Sequence, residues 1–224
     1  MQDNMDTIVT IDGTSGGGKS TVSRMLAAEL GYTYLDTGAM YRAVGLQAKE
    51  QGVDLADDEQ VAALLADLDL RLEPGDGDTR VLLAGNDVSE AIRTAEMGMV
   101  ASAVSALALV RQKLTELQQE MGAQGRLVAE GRDMGTVVFP RARHKFFLDA
   151  SAEVRARRRL DQLHEKGLAA DYDEILAQIR KRDHDDASRA LAPLKQADDA
   201  VYVDSSEMNA REVLTFILDR LAKK

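Results

Sequence analysis

The sequence predicts an α/β fold: a five-stranded parallel sheet with helices on both faces, and a small antiparallel β insertion. Three observations carry that reading. Short apolar runs alternate with helix-period segments, the pattern of successive strand–helix–strand units. The strands are near-continuous apolar or β-branched runs, as in Thr7–Asp12 (TIVTID), so they belong between two covered faces. Between Leu70 and Val88 the pattern changes to alternation broken by Gly- and Asp-rich turns, as in an antiparallel meander.

In chain order, Thr7–Asp12 reads as a buried strand ended by Gly13. Lys19–Leu30 follows as a helix: Val22, Met25, Leu26 and Leu30 share a face, and Gly31 stops it. Thr33–Leu35 is a second short strand, Met40–Gln51 a helix closed by Gly52, and Asp57–Leu68 another helix. The meander uses Leu70, Leu72, Val81, Leu83 and Val88, split by turns at 74–78 and 85–87. Thr94–Met121 reads as one long helix. Strands return at Leu127–Ala129, Lys145–Leu148 and Ala200–Val203, with helices at Ala152–Glu165, Tyr172–Arg182 and Ala210–Leu221. No repeat, low-complexity tract or linker divides the chain.

A chain of 224 residues can bury a real core, and 45% apolar with 29% charged residues excludes low-complexity disorder. The net charge of -10 argues against nucleic acid as a partner, and requires any anion site to be built from locally gathered Arg and Lys. The absence of cysteine excludes disulfides and Cys-based zinc sites. The first ten residues carry Asp3 and Asp6 and do not read as a signal peptide, and no run approaches the roughly 18 apolar residues of a membrane span. The expected location is the cytoplasm.

The segment Gly13-Thr14-Ser15-Gly16-Gly17-Gly18-Lys19-Ser20 matches the P-loop pattern GxxxxGK[ST] at every fixed position, between a predicted strand and a predicted helix. Glycines let successive backbone N–H groups turn inward around a phosphate, and the helix N-terminus adds partial positive charge. Lys19 is placed to reach the β- and γ-phosphates of ATP, and the Ser20 hydroxyl to ligate Mg²⁺. Thr21 completes the ATP-binding stretch. No Asn-Lys-x-Asp guanine motif occurs, and arginines recur at several separated places, as expected where two phosphorylated ligands are held together.

Those arginines fall into four groups. Asp36-Thr37-Gly38-Ala39-Met40-Tyr41-Arg42 follows the second strand; it reads equally as a ligand loop and as a helix cap by Asp36 or Thr37 with a solvated Arg42. Glu130-Gly131-Arg132-Asp133-Met134-Gly135-Thr136 ends the third core strand, a place that favours a ligand loop; the alternative is a turn closed by a local Arg–Asp ion pair. Arg155, Arg157, Arg158 and Arg159 crowd one helix, and 155, 158 and 159 share a face, as an anion site or as a solvated basic helix. A segment bearing them, hinged near Gly167, could close over phosphates and exclude water. Arg182, Asp186 and Arg189 form a last cluster at i, i+4, i+7; the alternative is an ion-paired surface turn. His144 and His184 read as surface residues.

Assembled, the chain resembles bacterial cytidylate kinases over nearly its whole length. The resemblance rests on the P-loop, Leu35–Arg42, Asp87-Val88-Ser89 with Ile92-Arg93, Glu130–Pro140, Phe147-Leu148-Asp149-Ala150, and Arg189 before Ala192-Pro193-Leu194. It implies a single P-loop kinase domain over 1–224, with a nucleoside-monophosphate-binding subdomain at about 38–98 that contains the β insertion, and a helical lid at about 151–169. It implies phosphate-holding roles for Arg42, Arg132, Arg182 and Arg189, with Thr37 nearby, and cytosine reading by Ser102, Arg111 and Asp133. Asp186 would contact the sugar. Lys19, Arg132 and the lid residues Arg155, Arg158 and Arg159 would act in catalysis. Mg²⁺ would be held by Ser20, with Asp36 a candidate through water. The implied partners are ATP and CMP or dCMP, and the implied state is a monomer. Thr14 stands where proline is frequent, Thr37 where serine is common, and Arg157 matches no family role. The alternatives are a kinase acting on UMP or AMP and a nucleotide-switch ATPase.

Overall fold

The computed structural model describes residues 4–75 and 79–223. In chain order the elements are β1 (Ile8–Asp12), α1 (Lys19–Leu30), β2 (Thr33–Asp36), α2 (Thr37–Gln51), α3 (Asp58–Ala66), β3 (Leu70–Pro74), β4 (Thr79–Leu83), β5 (Asn86–Asp87), α4 (Ala95–Val104) and α5 (Ala108–Gly122). Then come β6 (Leu127–Gly131), β7 (His144–Asp149), α6 (Ala152–Glu165), α7 (Tyr172–Ala187), β8 (Val201–Asp204) and α8 (Ala210–Leu221). The chain divides into two compact units, one running to Thr33 and resuming at Gly125, the other Tyr34–Gln124.

The expected five-stranded sheet has the order β2-β6-β1-β7-β8, with β6-β1, β1-β7 and β7-β8 parallel. Every residue of β1 and β6 is buried, which is why those strands show no polar–apolar alternation before the acidic residues near their carboxyl ends, Asp12 and Glu130. In the first unit α1 packs on β6 and on α8, and α8 opens with a reciprocal cap between Asn209 and Glu212. Helices α6 and α7 form a core of their own around Ala156, Leu160 and Ile175, flanked by Leu163, Tyr172 and Ile179.

The second unit holds the expected meander, β3-β4-β5, antiparallel, with Leu70 opposite Leu83 and Leu72 opposite Val81. Asp76, Gly77 and Asp78 of its predicted first turn, like Asp3, lie outside the described residues. Helices α2 and α4 pack closely: a Cβ on Gly45 would come within 2.7 Å of Val100 Cγ1.

Two helix expectations require correction, and one turn goes beyond what the sequence showed. The predicted helix Thr94–Met121 is two helices, broken at 105–107 without glycine or proline. There the chain tightens through Ala106 N–H to Ala103 O and Leu107 N–H to Val104 O, while Ser105 Oγ donates to Ser102 O. Helix α7 runs five residues past Arg182, to Ala187, helped by the Lys181–Asp185 pair one turn apart. Arg189 therefore lies beyond the C-cap Ser188 and cannot share a helical face with Arg182. Finally, Met134–Val138 forms a single π-turn, with Val138 N–H on Asp133 O and Phe139 N–H on Met134 O.

The tightest backbone approach lies where β1 leaves the sheet. Gly13 has φ +145°, and a Cβ there would fall 1.8 Å from Leu148 O of β7. Gly18 also has positive φ, +89°, but no atom of the described residues lies within 4 Å of its missing Cβ. Gly18→Ala is therefore expected to cost only the left-handed backbone penalty, about 1–2 kcal/mol. Gly13→Ala should cost about 4 kcal/mol or more, because backbone must move. Urea unfolding of the two variants checks this; equal losses would show that the Leu148 contact is unimportant.

Candidate active site

The loop between β1 and α1 is held from outside by neighbouring strand ends. Thr14 Oγ1 donates to Asp149 Oδ1 at 2.6 Å, so the threonine found where proline is frequent ties the loop to β7. Ser205, just after β8, donates to Asp149 O at 3.0 Å, and Arg158 of α6 donates to the carbonyls of Ser205 (2.6 Å) and Met208 (3.1 Å). Lys19, only 6% exposed, donates to Thr14 O at 2.6 Å. Burial lowers its pKa, and the Arg132 charge adds to this against the opposing pull of Glu130 and Asp12. Gly16, Ser20 and Thr21 are exposed, which leaves the outer rim of the loop and the Ser20 hydroxyl open.

Beneath the loop, Asp12 is 4% exposed and accepts from Met134 N–H and Gly135 N–H, both at 2.8 Å. One carboxylate at the end of β1 thus anchors the π-turn that follows Arg132-Asp133. Burial pushes Asp12 up to about 6, with the two N–H donors opposing and the Asp133 charge adding to the rise.

Asp186 is a further buried carboxylate. Arg132 Nε donates to its Oδ2 at 2.8 Å and Arg189 Nη2 pairs with its Oδ1. Burial alone would raise Asp186, but Arg132, Arg189 and Arg182 together hold it below the usual value. Both oxygens of the predicted sugar contact therefore already carry arginine partners. Asp133 is 3% exposed at the foot of the π-turn.

The four cations of α6 take separate environments. Arg155 is buried and bonded to the P-loop carbonyl of Ser15; Arg158 braces the loop after β8; Arg159 is exposed. Arg157, without a family role, lies 5.0 Å over the Tyr172 ring and ties α6 to α7. His184 is exposed and His144 half-buried.

In the second unit, Asp36 caps α2 through Oδ1 on Ala39 N–H at 2.9 Å, the helix-cap alternative, and pairs with Arg42 through Oδ2 at 3.2 Å. Thr37 is buried beside it. Arg42 Nε is buried with no hydrogen-bond partner among the described residues. A small pocket here is lined by Asp36, Arg42, Thr79, Ser89, Ile92 and Arg93. Arg111 is buried, donates to Ser105 O at 3.1 Å, and lies 5.8 Å over the Tyr41 ring; the Ser102 carbonyl accepts from Ser105 Oγ.

Sequence reasoning left Asp12, Asp149, Asp183, Ser205 and Tyr41 without roles. Asp12 carried a usable signal, a charge closing an apolar strand just before the glycine loop; the others lie far in sequence from the groups they hold. Among the described residues no group of three or more His, Cys, Asp or Glu is arranged to hold a metal ion. The open Ser20 hydroxyl is suited to an ion whose other ligands come from phosphate and water. No described helix is long and apolar enough to cross a membrane.

The cytidylate kinase family model matches residues 9–223. A cytidylate kinase of Saccharophagus degradans is 50% identical over 215 residues, 96% of each chain. One of Syntrophotalea carbinolica is 49% identical over 99% of this chain and 94% of its own. Among solved structures, a Thermus thermophilus protein aligns with TM-score 0.44 at 20% identity, over 96% of this chain and 98% of that one.

The raised pKa of Asp12 makes a pH prediction. The folded chain binds more protons at this group than the unfolded chain between about pH 4 and 6. Its stabilising contribution is therefore present below about pH 4 and lost as pH rises through about 6. Relative to Asp12→Asn, which cannot ionise, the wild type should lose up to roughly 3 kcal/mol across that window. Urea unfolding of both proteins from pH 4 to 7 checks it, and parallel stability profiles would show that the group does not titrate there.

Proposed function

The chain belongs to the cytidylate kinase family, and we propose that it transfers the γ-phosphoryl group of ATP to CMP or dCMP, giving ADP and CDP or dCDP. The observation that carries this reading is the family match across almost the whole chain, centred on a P-loop that is braced by Asp149 and Ser205 and open at its rim.

In this reading, the N–H groups and positive helix end of Gly13–Thr21 cradle the ATP phosphates, and Lys19 moves from Thr14 O to phosphate oxygens. Ser20 would hold Mg²⁺, with Asp36 a candidate through water; a bound ion would supply positive charge against the ATP phosphates. Arg42, Arg132, Arg182 and Arg189 hold phosphates, and Thr37 supports the acceptor. Asp186 keeps Arg132 and Arg189 in place and contacts the sugar through its remaining acceptor capacity. Arg155, Arg158 and Arg159 belong to a lid at about 151–169, and a nucleoside-monophosphate subdomain spans about 38–98 of one kinase domain. Transfer needs little covalent help from the protein, so these groups act by orientation and charge. We place the protein in the cytoplasm as a monomer with small-molecule substrates only.

A coupled ADP-release assay with CMP, dCMP, UMP and AMP tests the reading. ADP release should depend on CMP or dCMP. Acceptor-independent release would indicate a nucleotide-switch ATPase, and a response chiefly to UMP or AMP another kinase.

Base choice should rest on Asp133 with Arg111 and Ser102. Cytosine presents an amino donor and an N3 acceptor, which suit a carboxylate and a guanidinium; uracil reverses both edges. Two failed buried pairings cost several kcal/mol, so strong preference for CMP over UMP is expected. Asp133→Ala should erode that preference by harming CMP, because Arg111 still opposes the uracil N3–H. Steady-state kcat/KM for both acceptors decides it: an unchanged CMP-to-UMP ratio would sink the base-reading role.

A further inference from the structure

Arg155 sits in the proposed catalytic set, yet it is not a free side chain. It is buried, and its Nε donates to Ala150 O at 2.8 Å. Nη1 donates both to Ser15 O of the P-loop and to Asp183 Oδ1, each at 3.0 Å, while Nη2 pairs with Asp183 Oδ2. A guanidinium has five N–H groups, and these contacts use four of them. The backbone around it is close as well: a Cβ on Gly16 would lie 3.6 Å from Arg155 Cβ.

The two-point pair is the contact that sets the plane of the group. A fork of parallel N–H···O bonds fixes both distance and orientation, which single bonds to carbonyls do not. Asp183 lies in α7, beside Arg182 and three residues before Asp186. The helix that holds the Arg132–Asp186–Arg189 cluster therefore also orients the arginine at the P-loop rim.

We propose that Asp183 is a positioning residue for phosphoryl transfer. Its carboxylate holds the Arg155 guanidinium edge-on to Ser15 O, with the remaining N–H, on Nη2, presented to a phosphoryl oxygen as charge develops there. This inference rests on the chain acting as an ATP-dependent kinase. The misplacement of a charged donor by about 1 Å can cost up to 100-fold in rate without disturbing ground-state binding.

The test is steady-state kinetics with ATP and CMP on wild type, Asp183→Asn, Asp183→Glu, Arg155→Ala and the Arg155→Ala/Asp183→Asn double variant, with folded fraction measured by circular dichroism. Asp183→Asn should lower kcat about tenfold or more per folded molecule, with both KM values within twofold. Asp183→Glu should recover part of that loss, and Asp183→Asn should add nothing once Arg155 is alanine. An unchanged or raised kcat in Asp183→Asn overturns the proposal, the latter by showing that the carboxylate restrains Arg155 instead of presenting it. So does an equal loss in the Arg155→Ala background, or a loss accounted for by unfolded protein. A wild type that releases no ADP with any acceptor overturns the kinase reading as well, and is thereby distinguished from an active wild type indifferent to Asp183.

Discussion

At the carboxyl end of β1 the chain must leave a buried sheet, curl with its N–H groups inward and re-enter as a helix, using a segment rich in glycine. Glycine permits such a curl but cannot hold it, because it brings backbone freedom and no side-chain contact. The restraint comes from the neighbours. Gly13 lies against the Leu148 carbonyl, Thr14 is tied to Asp149, and Ser205 is bonded to Asp149 O and held in turn by Arg158. Under this arrangement the loop is shaped by the ends of β7 and β8, so the parallel sheet is the scaffold that gives the glycine loop its form.

The same economy governs charge. The protein is acidic overall, yet two carboxylates on α7 gather its arginines: Asp183 takes Arg155, and Asp186 takes Arg132 and Arg189. Buried ion pairs of this kind contribute little net stability, since desolvation offsets most of the Coulombic gain. Their effect is geometric. Cations that would repel one another are kept at fixed positions, and in a phosphoryl-transfer site fixed charge is the chief catalytic resource. Asp12 does the parallel task with a neutral partner, fastening the π-turn through two backbone N–H groups.

Much of the fold is legible in local pattern. Helices α1, α6 and α8 carry sharp end signals, Gly31 after the first, Ser151 before the second and Asn209 with Glu212 at the third, and their limits agree with the reading from sequence. The break between α4 and α5 is not legible, because Ser105-Ala106-Leu107 is compatible with helix and the chain leaves it only where Arg111 takes up the Ser105 carbonyl. The four arginines of α6 share one sequence neighbourhood but end in four environments, and only the folded partners Ser15, Asp183, Ser205 and Tyr172 sort them, with Arg159 left exposed.

By itself the sequence determined the sheet, the phosphate loop and the residues that resemble a cytidylate kinase, since periodicity, glycine spacing and helix caps act over a few residues. Only the tertiary structure decided which carboxylate holds which arginine, why Asp12 is buried, and why threonine serves at position 14. Those pairings join residues 54, 28, 122 and 135 positions apart, as in Arg132–Asp186, Arg155–Asp183, Asp12–Met134 and Thr14–Asp149. Over such separations no local propensity acts; the partners meet because parallel strands bring their carboxyl ends to one end of the sheet and because α6 packs on α7.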